Sequence, residues 1–252
     1  MSAPALRKLG KTAAFHDPRT LQLANYLDPK LLPPPPPSID WGKKVSRWPM
    51  MGNDRIGDCT TAAAGHCIEE WTTDAGRPVI VPDDEIVAAY SAVSGYDPRT
   101  GAHDVGANAI KVLNYWRVTG IGHHTIRAYA ALEPGNTDHV RLSVALFGNA
   151  YVGLALPASA QEQTVWSVPP GGPTGTGAPG SWGGHAVPVV AYDPQGLVLV
   201  TWGALQRMTW GFWSAYCDEA YALLSNDFLT ADRTPAGVDL ATLESDLADL
   251  VK

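Results

Sequence analysis

The stretch SIDWGKKVSRWPMMGNDRIGDCTTAA, Ser38 to Ala63, moves from a segment with little periodicity into a turn-rich run, Gly52 to Asp58. It then enters a helical pattern that continues as TTAAAGHCIEEW and ends before Gly76. Cys59 stands at that junction, which predicts a thiol in the first turn of a helix. The positive end of a helix dipole favours the thiolate, the reactive form of cysteine, so this position suits a nucleophile. Asp58 reads as the N-cap. Its carboxylate would hold the first amides but would also oppose thiolate formation, so the two effects compete.

Outward from this stretch, Asp84 to Ser94 and Asn108 to Thr119 read as two further helices. The second carries Ala109, Val112, Leu113 and Trp116 at helical spacing. After Gly122 the pattern changes to short apolar runs, YVGLALP from Tyr151, HAVPVVAY from His185 and LVLVTWG from Leu197, separated by Gly and Pro. These read as buried strands. Between the first two lies the Gly/Pro-rich stretch Pro169 to Gly184, expected to be a mobile surface loop without regular structure and placed to act as a flap.

The flanks differ in character. Residues 1–32 carry scattered charge with a short helix expected around Thr20 to Tyr26, and five prolines follow from Pro33 to Pro37. A polyproline II run rises about 3.1 Å per residue, which makes this a stiff spacer of roughly 15 Å and a natural boundary. At the other end Leu240, Leu243, Leu247 and Leu250 form an apolar stripe on a short helix that would dock on the body or on a partner.

Composition narrows the class. The 252 residues are 45% hydrophobic and 17% charged with a net charge of −7, so the chain is globular and has no general attraction for a phosphate backbone. Nucleic acid is not an expected partner, and no stretch approaches the roughly 20 apolar residues of a membrane span. The first twenty residues have no continuous apolar segment of the secretory kind, so a soluble cytoplasmic protein is expected. Three cysteines, Cys59, Cys67 and Cys217, are too few for a disulfide framework, and no CxxC or HxxxH spacing suggests zinc. Neither metal nor cofactor is expected. A lone cysteine is ordinarily a small buried apolar side chain, and Cys67 and Cys217 are read that way. His66, seven residues beyond Cys59 and about 10 Å along the helix, is too far to take the thiol's proton and is read as a helix-surface residue.

With these residues in place, Ser38 to about Leu224 resembles the papain-like cysteine peptidases. Asp40 and Trp41 supply that family's Asp-Trp pair, Gly57 and Cys59 match its glycine and nucleophile, and its oxyanion-hole glutamine falls on Asn53. GGHAVPVVAYD, 183–193, matches the His-Ala-Val segment, and the family's Asn-Ser-Trp-Gly is echoed by VTWG, 200–203. The resemblance implies an α+β fold: a mainly helical lobe, 38–121, followed by an antiparallel β-barrel-like lobe, 122–228, with a cleft between them. Residues 1–37 and 229–252 would be an extension and a tail.

Two departures stand out. The disulfide cysteine before the nucleophile is Ile56 and the Trp after it is Thr60. Anchoring on Trp-Gly puts Val200 at the place of the asparagine that orients the histidine, whereas counting sixteen residues from His185 puts Thr201 there, whose hydroxyl can accept a hydrogen bond. The resemblance implies Cys59 as nucleophile, His185 as base, Asn53 with the Cys59 amide as oxyanion donors and Thr201 as the orienting group. Gly57, Asp58, Gly184 and Trp202 would line the substrate. The expected activity is hydrolysis of an amide or peptide bond through an acyl-enzyme. An acyl transferase with the same pair and an inactive binding or assembly scaffold are the alternatives. A peptide or protein is the expected substrate, and docking into a larger assembly through either flank is the other expected partnership. Only 37 residues precede the matching region, room for a short prosegment across the cleft but not for a full inhibitory prodomain.

Overall fold

In the computed structural model, residues 7–15, 17–28, 30–133, 135–228 and 238–249 are described. The side chains of Leu247 and Leu250, two of the four leucines of the tail stripe, lie outside these.

Helix α1, Cys59–Asp74, is the axis of the molecule. Nearly all of its residues are buried, including Ala62, Ala63, Ala64 and Gly65, so it is a core helix enclosed on every side and not an amphipathic surface helix. Gly65 is needed here: a Cβ would stand 2.4 Å from the Met51 sulfur and 2.7 Å from Ile86 Cδ1. His66 is therefore 2% exposed, with Nε2 2.8 Å from the Pro49 carbonyl, and not on a helix surface as its spacing suggested. Burial pushes its pKa down to about 4.

Two helices close on α1. Helix α2, Asp83–Ser94, opens with three acidic residues, which suit the positive helix end, and stops at Gly95 in the left-handed region, φ 82°. Helix α3, Ala109–Val118, is capped by Asn108, whose side chain accepts from the Lys111 amide. It buries Val112, Leu113 and Trp116, and the Trp116 ring stacks on Trp71 at 5.7 Å.

The strands are β1 (Ile39–Asp40), β2 (Ile126–Ala131), β3 (Ala150–Leu156), β4 (Val165–Trp166), β5 (Gly183–Asp193), β6 (Gly196–Thr201), β7 (Ala204–Thr209) and β8 (Cys217–Ser225). They form one sheet in the order β2-β8-β3-β5-β6-β7-β4, with β1 added to β5. All pairings are antiparallel except β4 with β7. The α+β class is as expected, but the sheet is open and not a closed barrel.

Helix α4, Thr137–Phe147, lies within the half read as β-rich, capped by Asn136, whose side chain accepts from the Asp138 and His139 amides. Helix α5, Trp210–Tyr216, and helix α6, Leu240–Asp249, complete the chain. Leu240 and Leu243 of α6 are buried, and Tyr26 donates to Asp246 at 2.8 Å, so the tail helix docks on the body beside the 3-10 turn Leu23–Tyr26. The Gly/Pro-rich loop is tied down by Gly180 N–H to the Ala155 carbonyl (3.0 Å), Trp182 N–H to Leu156 (2.9 Å) and Tyr216 O–H to Gly177 (2.8 Å).

Candidate active site

Three elements meet at the site: the first turn of α1, the start of β5 and the hairpin joining β6 to β7. Cys59 is the first residue of α1 and is 1% exposed. Its sulfur accepts from the Ala186 amide at 3.4 Å, so the residue after His185 is in contact with the thiol. As a first-turn residue, Cys59 has a backbone N–H without an intrahelical acceptor.

Asp58 occupies the cap position, but its side chain makes no capping bond, contrary to the sequence reading. The carboxyl is fully buried, and burial pushes its pKa up to about 8 against the lowering effect of the neighbouring Asn53 amide. At neutral pH Asp58 is therefore mostly protonated. The part that is ionised still acts on Cys59 in the direction expected, pushing the thiol up alongside the larger effect of burial. Asn53 is buried, and its side-chain amide donates to the Ile56 carbonyl at 3.3 Å while facing Asp58. The amide expected to serve an oxyanion is thus engaged within its own loop.

His185 enters β5 opposite Leu154 of β3, and its ring is buried. Nε2 lies 2.6 Å from Thr201 Oγ1, whereas Nδ1 has no hydrogen-bond partner among the described residues. Strand alternation decides between the two orienting candidates. Thr201 faces the imidazole, and Val200 turns to the other side of the sheet, where it packs with Trp48 and Val190. The next two residues, Trp202 and Gly203, form the two-residue link to β7, with φ of 45° and 70°. Two left-handed residues are what a tight hairpin requires, although a tryptophan there is strained. The strained position lays the Trp202 indole flat on His185, centroids 4.4 Å apart and planes 14° apart.

An extended strap from the N-terminal region crosses this site. Lys8 N–H donates to the Asn53 carbonyl at 3.1 Å, and the Lys8 carbonyl accepts from Trp202 Nε1 at 3.0 Å. The Gly10 and Lys11 amides both donate to the Gly184 carbonyl, at 3.3 and 3.1 Å. On the opposite side Ala107 N–H donates to Gly10 (2.8 Å) and Thr12 N–H to Ala107 (3.0 Å). Glycines make room for this approach. A Cβ on Gly10 would fall 1.8 Å from the Gly57 carbonyl oxygen, one on Gly106 2.0 Å from the Gly10 oxygen, and one on Gly184 2.1 Å from the Lys11 oxygen.

The Gly10 N–H, whose hydrogen bond goes to the Gly184 carbonyl, lies near enough to the Cys59 sulfur to favour a thiolate slightly, while the Gly10 carbonyl is turned to Ala107. Burial under the strap pushes the thiol up to about 12 and the imidazole down to about 3, so both groups are neutral in this state.

Most of the expected site residues come together here: Cys59, Gly57, Asp58, His185, Gly184, Thr201 and Trp202. Asn53 is adjacent, with its amide turned to Ile56. The sequence reading did not single out Gly10, Lys11, Ala107, Asp104, Asp218 or Glu219. Asp104 accepts from the Gly57 amide and from Tyr90 O–H, both at 2.8 Å, and so fixes the loop before the thiol.

No family model and no curated protein sequence matches the chain. Among solved structures, it is similar to xylellain, a cysteine protease from Xylella fastidiosa, with a TM-score of 0.65 and 15% identity over 89% of this chain and 99% of that one. The Carica candamarcensis cysteine protease CMS1MS2 aligns with a TM-score of 0.54 and 16% identity, over 76% and 99% of the two chains. Digestive procathepsin L 3 of Tenebrio molitor larval midgut aligns with a TM-score of 0.57 and 15% identity, over 87% and 76%. The chain therefore has the fold of the papain-like cysteine proteases, in a form far diverged from them in sequence.

Proposed function

We propose that the chain is a thiol hydrolase of amide or peptide bonds, latent in the strapped state. The observation that carries this reading is the placement of the Cys59 sulfur, at the start of α1, against the amide that follows a histidine whose far nitrogen is held by Thr201. Release of the strap would return water to both groups and remove the burial that keeps them neutral. Nδ1 would then take the thiol proton, and the resulting thiolate would attack a substrate carbonyl with the Cys59 amide as an oxyanion donor. The departing amine would collect the proton from His185, leaving an acyl-enzyme for water to hydrolyse. The same pair with an amine as acceptor would be a transferase.

One observation favours a scaffold without catalysis: the Asn53 amide donates to Ile56 and faces Asp58, so it is engaged within its own loop. The test is hydrolysis of a quenched fluorescent peptide library by the full chain and by Gly10→Ala, each with and without Cys59→Ala. Turnover that appears with Gly10→Ala and vanishes with Cys59→Ala supports the hydrolase. Absence of turnover in the folded Gly10→Ala protein supports the scaffold.

A further inference from the structure

Lys11 is a lysine of the strap whose side chain is fully buried, with its ammonium 2.9 Å from Asp218 and 3.0 Å from Glu219. It also donates to the Thr12 carbonyl at 3.2 Å. Burial would lower its pKa, but Glu219 and Asp218 overcome that and hold it above the ordinary value, so the side chain is charged. The recess is shaped around the lysine stem. A Cβ on Gly153 of β3 would stand 2.8 Å from Lys11 Cε, 2.9 Å from Cδ and 2.5 Å from Glu219 Cγ. Tyr221 O–H donates to the other Glu219 oxygen at 2.8 Å, which fixes the carboxylate facing the ammonium. Such a recess is poorly suited to standing empty or holding an apolar chain, because a buried carboxylate that loses its cation is strongly penalised.

The recess lies one residue along the strap from Gly10, the residue against the sulfur. The backbone contacts that hold the strap, the Gly184 carbonyl and both backbone groups of Ala107, would serve any extended peptide in the cleft. We infer that the Asp218–Glu219 recess is the specificity pocket of the cleft, and that it takes the lysine side chain of a peptide substrate once the strap withdraws. This rests on the hydrolase reading for its meaning as substrate selection, and Lys11 is then a built-in occupant of the substrate's own pocket.

The test separates binding from chemistry. In the full chain carrying Cys59→Ala and Gly10→Ala, fluorescence anisotropy compares labelled peptides of the form Gly-Gly-X-Gly-Gly with lysine, norleucine or glutamate at X. The lysine peptide is expected to bind about tenfold or more tightly than the norleucine peptide, with the preference lost in Asp218→Asn with Glu219→Gln. Equal or tighter binding of the norleucine peptide would overturn the pocket. Should Gly10→Ala prevent folding, Lys11→Ala in the Cys59→Ala chain removes the ion pairs that anchor the strap in the recess and so frees both the recess and the backbone groups beside it, and the same comparison applies. A lysine preference in a chain that never turns over any peptide would sink the hydrolase and leave the pocket standing. Turnover indifferent to lysine would do the reverse.

Discussion

The Oγ1 of Thr201 stands 2.6 Å from Nε2 of His185, on the side of the ring away from the unpartnered Nδ1. A hydroxyl can donate as well as accept, so it holds the ring in place without fixing which nitrogen carries the proton. Thr201→Val removes the partner of a buried nitrogen at almost unchanged volume. It is expected to cost about 1–3 kcal/mol in urea unfolding and to reduce peptide turnover in the Gly10→Ala chain by about ten- to a hundredfold. Thr201→Asn, which restores an acceptor, is expected to recover part of that turnover; no recovery would mean that orientation through this bond is unimportant.

Gly10 is the tightest point of the strap, since a Cβ there would overlap the Gly57 carbonyl. Gly10→Ala must therefore lift the strap from the thiol. Labelling of Cys59 by iodoacetamide at pH 8, followed by mass spectrometry, is expected to be at least about tenfold faster than in the unaltered chain, where the thiol is 1% exposed. Equal rates would mean that the strap opens freely without the substitution.

Two buried carboxyls set the pH dependence of stability. Burial raises Asp58 and Glu69 each to about 8, so the folded chain holds protons there that the unfolded chain has released above its ordinary carboxyl range. That contribution is complete at low pH and is lost as pH rises through 8. His185 and His66, lowered by burial to about 3 and about 4, act in the opposite sense: their contribution grows as pH rises and is complete above about 6.5. Between pH 6.5 and 8 only the carboxyl contribution changes, so stability falls across this interval. Thermal melts are expected to record a decline that Asp58→Asn makes shallower. A melting temperature that rises from pH 6.5 to 8 would contradict the buried-carboxyl assignment.

Much of the site was legible because its signals are local. The glycine- and aspartate-rich run before Cys59 marks the start of α1, and sixteen residues from His185 reaches Thr201, which strand alternation turns inward. Helix α4 was missed although Asn136 caps it and Val140, Val144 and Phe147 recur at helical spacing, because the short apolar runs around it dominated the reading of that half. The buried environment of His66 arises from the segment before Cys59, where Trp48 meets its ring edge to face and the Pro49 carbonyl meets Nε2, and contacts from so irregular a segment leave no periodic signature. The strap was the least legible feature. Its contacts join Gly10 to Gly57 and Lys11 to Glu219, pairs far apart in the chain, and nothing in LGKT by itself announces a cleft-bound segment. The open sheet likewise follows from pairings that short apolar runs do not encode.

The proposed hydrolase requires Cys59 and His185 to form a reactive pair once the strap is lifted. The most direct measurement is the pH dependence of Cys59 alkylation by iodoacetamide in Gly10→Ala, alone and combined with His185→Ala. Rapid labelling that persists below pH 7 and disappears when His185 is replaced is the expected result. Labelling that follows an ordinary thiol near pKa 8.5 in both proteins would contradict it.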